Sequence, residues 1–146
     1  MIAADLPPTV ARFPCSVEIS IDAPGWQSEI TAALGIYSQL SGTAFTEGGN
    51  GIHFVVKPSL GSRKGVESLG VWSPMTATIS LTPAAALSHN ARLRIALHEI
   101  GHAMWQDHSD EPDSVMSPLI NPRFTVHTLS PNDAERIRAA GCKNYV

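Results

Sequence analysis

The sequence predicts one α+β domain: a twisted mixed sheet, two long helices and a small C-terminal part that ends in a third helix. Three observations predict it. SVEISID (16–22) alternates apolar and polar residues with the period of a half-buried strand, and a run at helical spacing follows at once. Strand-like segments then lie between 51 and 83, each closed by proline. The second half turns helical, with apolar residues spaced three and four apart around a set of histidines.

The elements follow in order. Residues 1–14 (MIAADLPPTVARFP) read as an extended lead-in, lacking the charged start and apolar stretch of a signal peptide. In 16–22, Val17, Ile19 and Ile21 share one strand face. Pro24 and Gly25 open a helix over WQSEITAALGIYSQLSG, where Trp26, Ile30, Ala33, Leu34 and Tyr37 recur at helical spacing and Gly42 is placed to end the run. GIHFVVKP (51–58) and ATISLTP (77–83) are strands, with a short strand candidate at Leu69–Trp72 between them. Asn90 is the expected N-cap of ARLRIALHEIGHAM, whose Leu93, Leu97, Ile100 and Met104 form an apolar stripe. SPNDAERIRAAG (130–141) carries a serine cap, proline in the first helical position, Asp133 three residues after the cap and Gly141 as terminator.

A single domain of 146 residues (1–146) is long enough to bury a core without cross-links. Apolar residues at 43% and charged residues at 16% suit a globular chain, and 11 Gly with 11 Pro suit one rich in turns. A net charge of −3 leaves no basic footprint, which argues against a nucleic-acid partner. No apolar run is long enough to cross a bilayer, so no membrane partner is expected. Cys15 and Cys142 stand far from the histidines and in no CxxC arrangement, so they are not metal ligands by spacing. Paired, they would tie the first strand to the end of the last helix, a closure worth ~4 kcal/mol or more in the chain-entropy model. Two buried free thiols are the alternative.

HEIGHAMWQDH (98–108) carries the chemistry. His98 and His102 lie four apart on a helix, so both can reach one cation from the same side. A catalytic zinc takes three protein ligands and keeps a position for water, which calls for one more. His108 is the obvious third, with Asp107 as fallback. Since His108 lies six residues beyond His102, the chain must leave the helix between Met104 and Gln106 and turn back. Glu99 flanks the metal position, where a carboxylate can take the proton of an attacking water and contribute a factor of roughly 10² to 10⁴. Ile95, Leu97 and Ile100 surround these polar residues, so the helix is expected to be buried and its histidines to need a partner. His53, His89 and His127 read instead as surface or hydrogen-bonded histidines.

HEIGHAMWQDHS followed by DSVMSP resembles the metzincin metallopeptidases, and within them the matrixins, whose pattern is HExxHxxGxxH and then a methionine turn. Met116 falls eight residues after His108, and Pro118 two after the methionine. LSPNDAERIRAAG looks like the matrixin C-terminal helix segment, and the resemblance extends from about Ser16 to Gly141. It implies a metzincin-like fold in which His98, His102 and His108 hold one catalytic Zn2+, Glu99 is the general base and Met116 forms an apolar floor beneath the metal. The implied activity is that of a zinc-dependent endopeptidase acting on a protein or peptide substrate. That substrate would lie extended along the edge strand that ATISL would supply. Residues 119–128 would line the S1′ pocket, with Pro118 near its wall and Arg123 and Phe124 as shaping candidates. Gly101 would be a close-packing position, and Asp133 would brace the last helix against the methionine turn, Asn132 standing where matrixins often have aspartate. A secreted, extracellular monomer is expected, with either a trimmed proform or control of another kind.

Three departures from the family pattern stand out. Trp105 occupies the turn position of a glycine, where a positive φ costs a large side chain about 1 to 3 kcal/mol. The stretch KPSLGSRKGVESLGVWSPM (57–75) has no histidine or aspartate, so neither a structural zinc nor a calcium site is expected there. Cys15 in RFPCSVE lacks the surroundings of a PRCGxPD-like cysteine switch. Two rival readings remain. One is a catalytically impaired zinc protein that acts as a protein-binding module, with Trp105 as the lesion. The other is a thermolysin-like site with Glu111 or Glu135 as third ligand.

Overall fold

The computed structural model describes residues 12–63, 66–118 and 129–142. Most of the expected lead-in (1–11) and the expected pocket segment 119–128, with Arg123, Phe124 and His127, lie outside the described residues.

Strand β1 (Ser16–Asp22) runs where the period-two pattern puts it, with Ile19 buried on the core face. Helix α1 (Gln27–Ser41) then crosses over and stops at Gly42, whose φ of 78° is a left-handed conformation that glycine adopts without a Cβ clash. The crossover delivers β2 (Ala44–Glu47), parallel to β1. On the other side of β1 runs β3 (Ile52–Val56), also parallel. Two-residue strands β4 (Ser62–Arg63) and β5 (Val66–Glu67) form a separate antiparallel ribbon. Strand β6 (Gly70–Ser73) turns through Pro74–Ala77 into β7 (Thr78–Leu81), which lies parallel to β3.

The resulting order is β2-β1-β3-β7-β6, with β6 the one antiparallel member. This corrects the expectation that ATISL supplies the edge. The turn folds β6 back onto the outer side of β7, so β7 is bonded on both sides and the outer strand on this side of the sheet is Gly70–Ser73.

Helix α2 (His89–Ala103) begins two residues earlier than expected. Ser88, not Asn90, is the N-cap: its backbone is extended and its hydroxyl accepts the Ala91 N–H at 3.1 Å. The expected stripe of Leu93, Leu97, Ile100 and Met104 is buried. Ile52, Phe54, Ile79 and Leu81 of the sheet meet Ile30, Ala33 and Tyr37 of α1 and the α2 stripe in one core. The Tyr37 hydroxyl crosses that core and donates to the Leu97 carbonyl at 2.7 Å, tying the helices together. Helix α3 (Pro131–Ala139) starts with the expected capping box of Ser130 and Asp133. Cys15 and Cys142 form a disulfide, their Cα atoms 5.1 Å apart, and Phe13 N–H donates to the Ala140 carbonyl at 2.8 Å beside it. The first and last described segments are thus joined. No helix among the described residues is long and apolar enough to cross a membrane.

Sequence periodicity does not show the ion cluster that joins α1 to α2. Glu29 is buried, and its Oε2 accepts from His89 Nδ1 at 2.5 Å and from Arg92 Nη2 at 3.2 Å. Burial pushes this carboxyl up, but the Arg92 and His89 hydrogen bonds outweigh it and hold the pKa at about 2. A depressed folded-state pKa means stability that is complete above the ordinary carboxylate range and is lost as pH falls toward 2. Unfolding free energy measured by urea between pH 5 and pH 2.5 should therefore fall less steeply in Glu29→Gln than in the wild type. Equal slopes would show that other carboxylates carry the acid sensitivity.

Candidate metal centre

The centre is assembled from one helix and the chain that leaves it. His98 and His102 project one turn apart from α2, and their Nε2 atoms stand 3.1 Å apart. Each Nδ1 faces a main-chain carbonyl, Val115 O at 2.7 Å for His98 and Gln106 O at 2.9 Å for His102. A carbonyl only accepts, so each Nδ1 carries the proton and each neutral ring turns an Nε2 lone pair toward the other. Two lone pairs at this distance repel unless a cation lies between them. Zinc-bound nitrogens about 2.0–2.1 Å from a tetrahedral ion stand roughly 3.3 Å apart, close to the separation found.

Burial makes the neutral form the stable one. It is the main cause that lowers His98 to about 4, against the opposing pull of the Val115 carbonyl, and it also lowers His102.

His108 completes the group. The nitrogens of the three histidines lie within 4.8 Å of one another, and the His108 ring centroid is 5.2 Å from that of His98 and 4.8 Å from that of His102. Among the described residues this is the one cluster of its kind, and Asp107, Glu111 and Glu135 do not join it. Glu111 instead takes two hydrogen bonds from the Asn132 amide.

Bringing His108 back requires the helix to end abruptly, and Trp105 does this without glycine. Its φ is 65°, the left-handed region, with Trp105 N–H bonded to His102 O at 3.0 Å and Gln106 N–H to Gly101 O at 2.9 Å. This pair of bonds is the Schellman ending of a helix, in which the left-handed residue is usually glycine. The indole gains little burial in return, being 61% exposed.

Met116 lies fully buried directly under the helix. A Cβ on Gly101 would stand 2.5 Å from Met116 Sδ and 2.9 Å from the Tyr37 hydroxyl, so only glycine admits this approach. Asp133 braces the turn from α3, its Oδ1 accepting from Ser114 Oγ at 2.6 Å and its Oδ2 from Val115 N at 2.8 Å. Ser109 N–H, next to His108, donates to Met116 O at 2.9 Å and lays the third histidine's strand of chain against the turn. Pro118 stands exposed just past it.

Glu99 is buried beside the cluster, its Oε2 4.0 Å from His98 Nε2. Burial raises its pKa to about 7, partly offset by the main-chain N–H of Trp72 on β6. Strand β6 closes over it: a Cβ on Gly70 would be 2.9 Å from Glu99 Cγ and 3.1 Å from Ile95 Cγ2. Sequence reasoning missed Gly70, Trp72, Gln106 and Arg94, whose guanidinium donates to the Val115 and Ser117 carbonyls. A glycine inside a strand candidate was the one available signal, for Gly70.

A helix carrying two imidazoles with facing Nε2 atoms, a third imidazole from the chain beyond and a buried carboxylate beside His98 has the donor set that an HExxH-type metal site requires. Residues 77–140, less than half of the chain, match the family model of matrixin, peptidase family M10, a likeness that supports a matrixin-like metallopeptidase domain. The five-stranded mixed sheet with three helices is compatible with a metzincin-like fold. Among curated proteins nothing matches the chain.

Trp105→Gly should raise the unfolding free energy by ~1 kcal/mol, because about 1–3 kcal/mol of backbone strain is released against ~0.4–1 kcal/mol for glycine's freedom when unfolded. A lower stability in urea titration would mean that the indole's contacts outweigh the strain.

Proposed function

We propose that the protein is a zinc-dependent endopeptidase, with His98, His102 and His108 holding one zinc ion and Glu99 acting as general base. The observation that carries this is the pair of Nε2 lone pairs 3.1 Å apart, each fixed by a carbonyl on the far side of its ring. When bound, zinc would supply Lewis acidity, lowering the pKa of a coordinated water and polarising the scissile carbonyl.

The chain's own residues would do the rest. Glu99 lies within reach of the metal position and is shielded from bulk water, so its carboxylate can remove the proton of the attacking water. Once protonated, Glu99 hands that proton to the leaving amine. Met116 gives the centre an apolar underside, and Pro118 is proposed as part of the wall that the substrate side chain meets beyond the scissile bond. The outer side of β6 would offer its remaining main-chain groups to an extended protein or peptide substrate, which would add as a further strand. With its disulfide the domain suits an oxidising, extracellular compartment, and we propose that it acts there as a monomer.

Two variants test the assignment. Against an unfolded protein substrate, the zinc-loaded wild type should cleave and Glu99→Ala should be at least about 10²-fold slower. Equal rates would remove Glu99 from the mechanism, and the protein-binding reading would then account for the site better. Gly70→Ala drives a methyl group against Glu99, so cleavage should fall on the order of ten- to a hundredfold while zinc content is retained. Unchanged turnover would show that the carboxylate has room to shift.

A further inference from the structure

We infer that Arg136 on α3 is a positioning residue that sets the two helix-borne imidazoles relative to each other, through separate hydrogen-bonded arms that meet on its guanidinium. The inference rests on the zinc reading above.

The first arm runs to His98. Arg136 Nη1 lies 2.9 Å from Asp133 Oδ1, Asp133 Oδ2 accepts the Val115 N–H at 2.8 Å, and the Val115 carbonyl accepts from His98 Nδ1 at 2.7 Å. The second arm runs to His102. Arg136 Nε donates to Gln106 Oε1 at 3.0 Å, and the Gln106 carbonyl accepts from His102 Nδ1 at 2.9 Å. The Gln106 side chain is itself buried and returns its amide to Met104 O at 3.3 Å, spanning the strained Trp105 between them.

The two acceptor carbonyls need such a tie. Neither Gln106 nor Val115 belongs to a helix or strand, and the backbone bond that Gln106 N–H makes, to Gly101 O, leads only back to α2. Arg94 also reaches Val115, but it sits on α2 with the histidines and so links that carbonyl only back to their own helix. Arg136 comes from a different element. A guanidinium holds its donors in a rigid planar fork, so serving both arms at once fixes one carbonyl relative to the other. Outer-shell partners of this type orient ligand rings, and losing one typically weakens metal affinity about 10–100-fold.

The test is zinc affinity by chelator competition, with the absorption spectrum of the cobalt-substituted protein as a probe of ligand geometry. Arg136→Ala should bind zinc about 10–100-fold more weakly than the wild type and shift the cobalt bands. Arg136→Lys keeps a charge for Asp133 but has no fork for Gln106. It should lose part of the affinity while its urea midpoint stays near that of the wild type, and it decides the matter on the same readouts if the alanine variant does not fold. Wild-type zinc affinity and cobalt bands in a variant with lowered stability would overturn the inference, leaving Arg136 a structural residue of α3. A wild-type chain that takes up no zinc would overturn the zinc reading itself, and the inference with it.

Discussion

Everything around the candidate centre follows from one constraint: two neutral imidazoles must present their Nε2 atoms to the same point, 3.1 Å apart. The helix supplies only the common side. Which nitrogen faces inward is decided by the carbonyls of Val115 and Gln106, and both belong to chain that has already left the helix. The ending of α2 is therefore part of the site, and a helix one turn longer would carry Gln106 away from His102. The chain accepts a left-handed tryptophan to stop in time, and the Schellman bonds on either side of it hold the conformation. The substitution that looked most damaging in the motif is thus compatible with the geometry the motif serves.

Packing imposes the second requirement. The Met116 segment can come up under the helix only because residue 101 has no side chain, and strand β6 can close over Glu99 only because residue 70 has none. Both glycines sit where conformational freedom is not needed and close approach is. The carboxylate sealed in this way is raised by burial to about 7, which would suit the proposed general base. A dication beside it would draw that value down again, so base strength here reflects a balance between exclusion of water and nearby positive charge.

Much of this was legible in local pattern. Strand β1, the left-handed stop at Gly42 and the Ser130 capping box all rest on short-range rules of period and capping, and each lies where those rules put it. The spacing that brings His108 to the other histidines is likewise a local signal. What escaped was long-range. Strand β2 is four residues, AFTE, with one large apolar side chain, and it forms because β1 offers it a parallel edge. Which strand ends the sheet depends on the fold-back at Pro74–Ala77, which strand period does not encode. The Glu29 cluster and the bond from Arg136 to Gln106 join residues 30 to 63 positions apart through polar atoms, and no periodicity announces such pairs.

The central claim is that three imidazoles share one ion. X-ray absorption at the zinc edge of the metal-loaded protein tests it most directly. The account predicts a shell of nitrogen and oxygen at about 2.0–2.1 Å with outer-shell scattering from three imidazole rings. Scattering from two rings, with carboxylate oxygen in place of the third, would contradict it and return the third position to Asp107 or a glutamate.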